Sequence, residues 1–82
     1  GFLDNRRKDI VAMQEALTHG DFDTVRLLGH SMKGAGGGYG FDAITDIGAA
    51  LEQAARGRNP DGVRKGLSDL ASYLARVEVV NA

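Results

Sequence analysis

The 82-residue chain carries ten basic and eleven acidic side chains, a formal net charge of −1 and no cysteine. Without cysteine it has no disulfide framework, thiol nucleophile or cysteine-ligated zinc site, and its balanced charge argues against an electrostatically driven nucleic-acid-binding protein. No apolar run approaches the roughly 18 residues that a membrane-spanning helix needs, and no signal peptide is visible. We therefore expect a single cytoplasmic domain over residues 1–82, which can be a piece of a longer protein because the sequence begins without methionine.

Apolar residues at helical spacing predict two helices in the first half of the chain. The inward side chains of the first helix, over about residues 2–18, are Leu3, Ile10, Met13 and Leu17. Its solvated face is expected to hold Arg6, Arg7 and Lys8. Gly20 ends this helix, and Asp21 can cap the second one. The inward side chains of the second helix, from about residue 22, are Phe22, Val25, Leu28, Met32 and Tyr39.

The second half of the chain predicts two more helices. Asp42 can cap the third, Phe41 packs at its start and Gly57 ends it, with inward side chains Ile44, Ile47, Leu51 and Ala55. Asn59-Pro60 places a capping residue before a proline in the first helical position. The inward side chains of this fourth helix are Val63, Leu67, Leu70, Leu74 and Val77. Four helices with short connections predict an all-α, antiparallel four-helix bundle with up-down-up-down topology.

The second helix contains His30 in the stretch His30-Ser31-Met32-Lys33-Gly34, which leads into a glycine-rich run. At about 100° per residue, His30 lies roughly 140–160° from Val25 and Met32, so it points away from the core. The residues within about 60° of it are Arg26, Leu27, Lys33, Gly34 and Gly37. Because helical side chains lean toward the N-terminus, a side chain at position 34 would cover the imidazole, and glycine leaves it bare. Gly29 and Gly36 fall on or near the inward stripe, where close helix packing explains them.

The glycine-rich run does not match a nucleotide-binding loop. Tyr39 or Phe41 stands where a dinucleotide fingerprint needs glycine, no strand precedes the run, and the Gly-Lys-Ser/Thr of a phosphate loop is missing. No second histidine or carboxylate stands at metal-ligand spacing from His30. We therefore expect no ATP site and no metal on this chain.

The pattern His30-x-x-Lys33-Gly34, with Gly40 ten residues after the histidine and then Leu51-Glu52, resembles the histidine-containing phosphotransfer (HPt) domain of bacterial multistep phosphorelays. The resemblance covers nearly the whole chain, since that family is a four-helix bundle with the histidine on its second helix. It implies that His30 accepts the phosphoryl group, that Lys33 lies near this group, and that Gly34 keeps the imidazole accessible. The chain departs from the family in having glycine at position 29, methionine at position 32 and an unusually dense glycine run.

The resemblance also implies partners and a function. The expected partners are response-regulator receiver domains, a sensor histidine kinase, or both, with Mg²⁺ bound by the receiver and no cofactor on this chain. Docking is expected on the histidine face, at Arg26, Leu27 and Gly37. We expect a monomeric phosphoryl carrier that takes phosphate from a receiver aspartate and passes it to another receiver, and not a stand-alone kinase. Two alternatives stay open: the phosphorylation-site domain of a histidine kinase, and a non-catalytic helical interaction module.

Overall fold

The computed structural model describes residues 1–81, with side chains described over residues 1–77. It contains four helices, α1 (Phe2–Thr18), α2 (Phe22–Gly38), α3 (Asp42–Arg56) and α4 (Pro60–Asn81). α1 and α3 each pack against both α2 and α4, and connections of only three residues make consecutive helices antiparallel. The predicted all-α four-helix bundle is confirmed. Among the described residues, no helix combines the length and apolarity needed to cross a bilayer.

The helix ends follow local chemistry that the sequence shows at three places. The Asp21 carboxylate accepts a hydrogen bond from the Thr24 backbone N–H at 3.1 Å, as expected of a capping residue. Gly20, which follows α1, has φ of 71°, in the left-handed conformation that glycine adopts without steric cost. Asn59 Oδ1 accepts from the Gly62 backbone N–H at 3.1 Å, so the predicted start of α4 is also correct.

The two ends of α3 differ from the prediction. The N-cap is Phe41, and Asp42 lies inside the first turn, where its charge complements the helix dipole without capping. Gly57 has φ of −84°, and Arg58 takes the left-handed conformation instead, with φ of 51°. The reason is a Schellman motif, in which the Asn59 N–H bonds to the Ala54 carbonyl at 2.9 Å and the Arg58 N–H to the Ala55 carbonyl at 3.1 Å.

The core consists of apolar side chains from all four helices, and most were predicted to point inward. Its buried members are Met13, Ala16, Val25, Met32, Ile44, Leu51, Ala55, Val63, Leu67, Leu70 and Leu74. Tyr39 was wrongly assigned to this core: α2 ends at Gly38, so Tyr39 leaves the helical register and stays exposed, stacked on the Phe2 ring at 4.4 Å. Arg6 was wrongly placed on the solvated face. It is largely buried, with its guanidinium 4.6 Å from the Phe2 ring centroid and Nε 2.9 Å from Asp9.

α2 and α3 form the most extensive helix pair because glycines let their backbones approach closely. A Cβ atom at Gly29 would lie 2.8 Å from the Glu52 backbone nitrogen, and one at Gly48 would lie 2.6 Å from that of Lys33. One at Gly36 would lie 2.7 Å from the Thr45 backbone nitrogen, so the close packing expected at Gly29 and Gly36 is confirmed. This approach brings the α3 backbone at Glu52 beside His30.

Candidate functional site

His30 lies near the middle of α2 on the exposed side of the bundle. Its side chain is 66% exposed, whereas Val25 and Met32 on the opposite side of the helix are fully buried. The orientation therefore agrees with the helical geometry deduced from the sequence. One ring nitrogen contacts a carboxylate of α3, since His30 Nδ1 lies 2.9 Å from Glu52 Oε2.

Glu52 of α3 is the charged residue at the centre of the site. It is only 3% exposed, yet it makes three polar contacts through its carboxylate. Oε1 accepts from Lys33 Nζ at 2.9 Å, while Oε2 lies 2.9 Å from His30 Nδ1 and accepts from Arg56 Nη2 at 3.2 Å. A buried carboxylate needs such partners to remain charged. α2 and α3 thus jointly build a cluster of one anion, two cations and one imidazole.

The electrostatics of Glu52 decide the tautomer of the histidine. The hydrogen bond from Lys33, followed by that from His30, lowers the pKa of the Glu52 carboxyl to about 2, against the opposing effect of its burial. The carboxylate is therefore ionised at neutral pH and can only accept hydrogen bonds. His30 Nδ1 must then be the protonated, donating nitrogen, and in a neutral ring Nε2 carries the free lone pair toward solvent.

The structure places the other predicted residues around this imidazole in different ways. Lys33 is adjacent, but its ammonium is held by Glu52. A Cβ atom at Gly34 would meet nothing within 4 Å, and one at Gly37 would meet only Thr45 Oγ1 at 3.8 Å, so both glycines border open space. Leu27 is one of the few large apolar side chains left exposed within the described chain.

The sequence alone predicts no role for two residues of the cluster, Glu52 and Arg56. Glu52 appears only in the family pattern, and no sequence pattern marks Arg56. Arg26, expected among the docking residues on the histidine face, makes no hydrogen bond or ion pair with the described side chains. The second cation on Glu52 is Arg56. A usable signal was present in Gly48: a close-approach glycine places the residue one turn later, Glu52, on the same α2-facing side.

Comparison with known families identifies the fold. The family model described as "Hpt domain" matches residues 1–79. The chain belongs to the Hpt domain family. Comparison with curated proteins found no match, and neither did comparison with solved structures.

The family assignment confirms the resemblance that the histidine motif indicated, and it covers all the residues that build the site. In this Hpt domain the site offers one exposed imidazole ring with two cations nearby. No group of three or more histidine, cysteine, aspartate or glutamate side chains in the described part of the chain could hold a metal ion.

Proposed function

We propose that this Hpt domain is a phosphoryl carrier, which accepts phosphate on Nε2 of His30 from a receiver aspartyl phosphate and passes it to another receiver. The observation that carries the proposal is the hydrogen bond between His30 Nδ1 and Glu52 Oε2 at 2.9 Å. This bond supports the proposal because it favours the tautomer whose Nε2 keeps the lone pair needed for attack, in the way that a buried carboxylate orients a catalytic histidine elsewhere.

The transfer step needs no proton to move. The Nε2 lone pair attacks phosphorus, an N–P bond forms, the P–O bond to the aspartyl group breaks, and the aspartate leaves as a carboxylate. The imidazole keeps its Nδ1 proton and acquires a positive charge, which the ionised Glu52 stabilises through the existing hydrogen bond. The same steps in reverse transfer the phosphoryl group from His30 to the aspartate of a second receiver.

The residues around His30 support this role in two further ways. Lys33, half-exposed beside the ring, supplies a cation that can shift from Glu52 toward the phosphoryl oxygens. Gly34 leaves open the path along which a receiver would approach Nε2. Phosphoryl transfer also requires a metal ion, which the receiver would supply together with the aspartate, because we expect none on this chain.

The test is transfer from a phosphorylated receiver to three forms of the chain: the unmodified protein, His30→Gln and His19→Gln. His19 is a matched control because it is also an exposed histidine whose Nδ1 contacts an oxygen, the Glu15 backbone carbonyl at 2.9 Å. We expect acid-labile, alkali-stable label on the unmodified protein and on His19→Gln, and none on His30→Gln.

Label that persists in His30→Gln, or that maps to His19, would contradict the proposal. Complete absence of label on every form would favour the helical interaction module. If a histidine kinase with ATP labels His30 while phosphorylated receivers do not, the chain acts instead as the phosphorylation-site domain of a kinase.

A further inference from the structure

Arg56 shares a carboxylate oxygen with the histidine. Its Nη2 lies 3.2 Å from Glu52 Oε2, the atom that also contacts His30 Nδ1 at 2.9 Å. The arginine stands four residues after Glu52 on α3, where helical side chains are neighbours. Lys33 Nζ donates to the other oxygen, Oε1, so each carboxylate oxygen accepts from one cation.

The charge of this cluster changes when His30 is phosphorylated. In the unmodified protein Glu52, Lys33 and Arg56 sum to one positive charge. A phosphoryl group adds roughly two negative charges near neutral pH, and the ring becomes positive, so the cluster becomes neutral. Without Arg56 the same reaction would take the cluster from neutral to one negative charge. The Coulomb energy therefore favours the phosphorylated form more strongly when Arg56 is present.

We infer that Arg56 is a positioning residue of this site, which acts through Glu52 to stabilise phosphorylated His30 relative to the unmodified histidine. The inference rests on the proposed function. Arg56 holds the Glu52 carboxylate against the imidazole ring and offsets the negative charge of that carboxylate. Glu52 can then stabilise the positive imidazole without repelling the phosphoryl group. Because the Arg56 side chain is 57% exposed, water screens its field. We expect an effect of roughly two- to fivefold on the transfer equilibrium, the size typical of exposed ion pairs.

The experiment measures the equilibrium constant for phosphoryl exchange between a receiver and four forms of the chain: unmodified, Arg56→Gln, Arg56→Lys and Arg64→Gln. Arg64 is the matched control, since it is a 64% exposed arginine that pairs with an acid on its own helix, Asp61 at 2.9 Å. An equilibrium constant between the free proteins does not depend on docking affinity, so a lost contact with the receiver cannot produce the effect.

We expect Arg56→Gln to shift the equilibrium roughly two- to fivefold toward the phosphorylated receiver. Arg56→Lys should recover most of the shift because it restores the charge, and Arg64→Gln should match the unmodified protein. Raising the salt concentration from about 0.05 to 0.5 M should shrink the difference. The phosphorylated receiver, with its own phosphate as the only donor, is the probe in all cases.

Equal constants for Arg56→Gln and Arg64→Gln, with normal labelling of His30, would overturn the role of Arg56 and leave the proposed function intact. A lower thermal midpoint for Arg56→Gln with an unchanged constant would overturn it too, by assigning the arginine to stability alone. Failure of the unmodified chain to accept phosphate at His30 would instead contradict the proposed function, and the inference with it.

Discussion

Glu52 is a single buried carboxylate that determines which ring nitrogen of the exposed His30 carries a proton. It accepts hydrogen bonds from side chains of both α2 and α3, and its ionised state at neutral pH fixes which imidazole nitrogen is protonated. His30 alone, without this partner, would exchange its proton between the two ring nitrogens. The histidine therefore belongs to α2, whereas the carboxylate that orients its ring belongs to α3.

The low pKa of Glu52 predicts a pH-dependent contribution to stability. Because the folded-state pKa of about 2 lies below the ordinary 4.5, the contribution is complete above pH 4.5 and is lost as the pH falls toward 2. Replacing Glu52 with glutamine should remove it. Urea unfolding at several values from pH 6 to pH 2 should show a free-energy difference between the two proteins that shrinks with acidification. A difference that stays constant over this range would contradict the low pKa.

Lys33 is predicted to matter for both transfer and stability. Its ammonium is half-exposed, but its partner Glu52 is buried, so Lys33→Ala should lower the free energy of unfolding by more than the loss of an exposed ion pair would, although Arg56 still pairs with the carboxylate. The single-turnover rate of phosphotransfer should fall, because a cation is lost beside the developing charge. Lys65→Ala is the control, since Lys65 also pairs with an acid, Asp69 on α4, but both of those side chains are exposed. Equal transfer rates for the two variants would remove Lys33 from the mechanism.

At the scale of elements, the α2–α3 pair builds the site through its glycines. Gly29 and Gly48 bring the two backbones so close that no side chain fits between them, and this places Glu52 under His30. The glycines within α2 weaken it as an isolated helix, by about 0.8–1 kcal/mol each relative to alanine. This helix therefore depends on packing against its neighbours. Glycine on the buried side of α2 thus serves assembly, and glycine on the exposed side leaves the imidazole accessible.

Gly34 separates these two roles experimentally. A side chain at this position would meet nothing within 4 Å, so Gly34→Gln should raise helix stability by roughly 0.5–1 kcal/mol instead of overpacking the bundle. The new side chain would lean back over His30, and phosphotransfer should fall. Denaturant unfolding and transfer kinetics are the two measurements.

Gly38→Gln is the matched control for that variant, because position 38 is equally open on the same helix but eight residues from the histidine. It should leave transfer nearly unchanged. Loss of stability and transfer together in Gly34→Gln would assign the glycine to packing. Retention of both would show that a receiver does not approach over this part of α2.

The sequence predicts the elements better than it predicts their junctions. Helical spacing of apolar residues defines all four helices, and the Asp21 and Asn59 caps are recognisable because each has a polar side chain at a helix start. The predicted end of α3 is wrong, because Arg58 adopts the left-handed conformation although a glycine, Gly57, precedes it. That choice depends on the Schellman bonds and on the cap that Asn59 must make for α4, which no single-residue preference encodes.

The candidate site is likewise predictable from the sequence only in part. The exposure of His30 and the open space at Gly34 follow from the periodicity of one helix. The contact with Glu52 joins positions 22 residues apart, so it depends on how α2 and α3 pack and on the rotamers at their interface. Arg56 is not predictable from the sequence for the same reason, because its proposed role depends on the carboxylate that it contacts.

At the scale of the whole molecule, the bundle exposes His30 on one face and buries most of its large apolar side chains in the core. Exposed Leu27 lies on the His30 side of α2, where an apolar contact would help a receiver to dock transiently. We expect the isolated chain to be monomeric in analytical ultracentrifugation, since self-association through this face would cover the histidine. A dimer whose formation blocks labelling of His30 would contradict the carrier function.

The most direct test of a phosphoryl carrier with this geometry is nitrogen–phosphorus NMR of the phosphorylated, ¹⁵N-labelled chain. The hydrogen bond from Nδ1 to Glu52 leaves only Nε2 of His30 available to phosphorus. The spectrum should therefore show one histidine, His30, with phosphorus coupled to Nε2 and a proton retained on Nδ1. Phosphorus bonded to Nδ1 of His30, or to either nitrogen of His19, would contradict it.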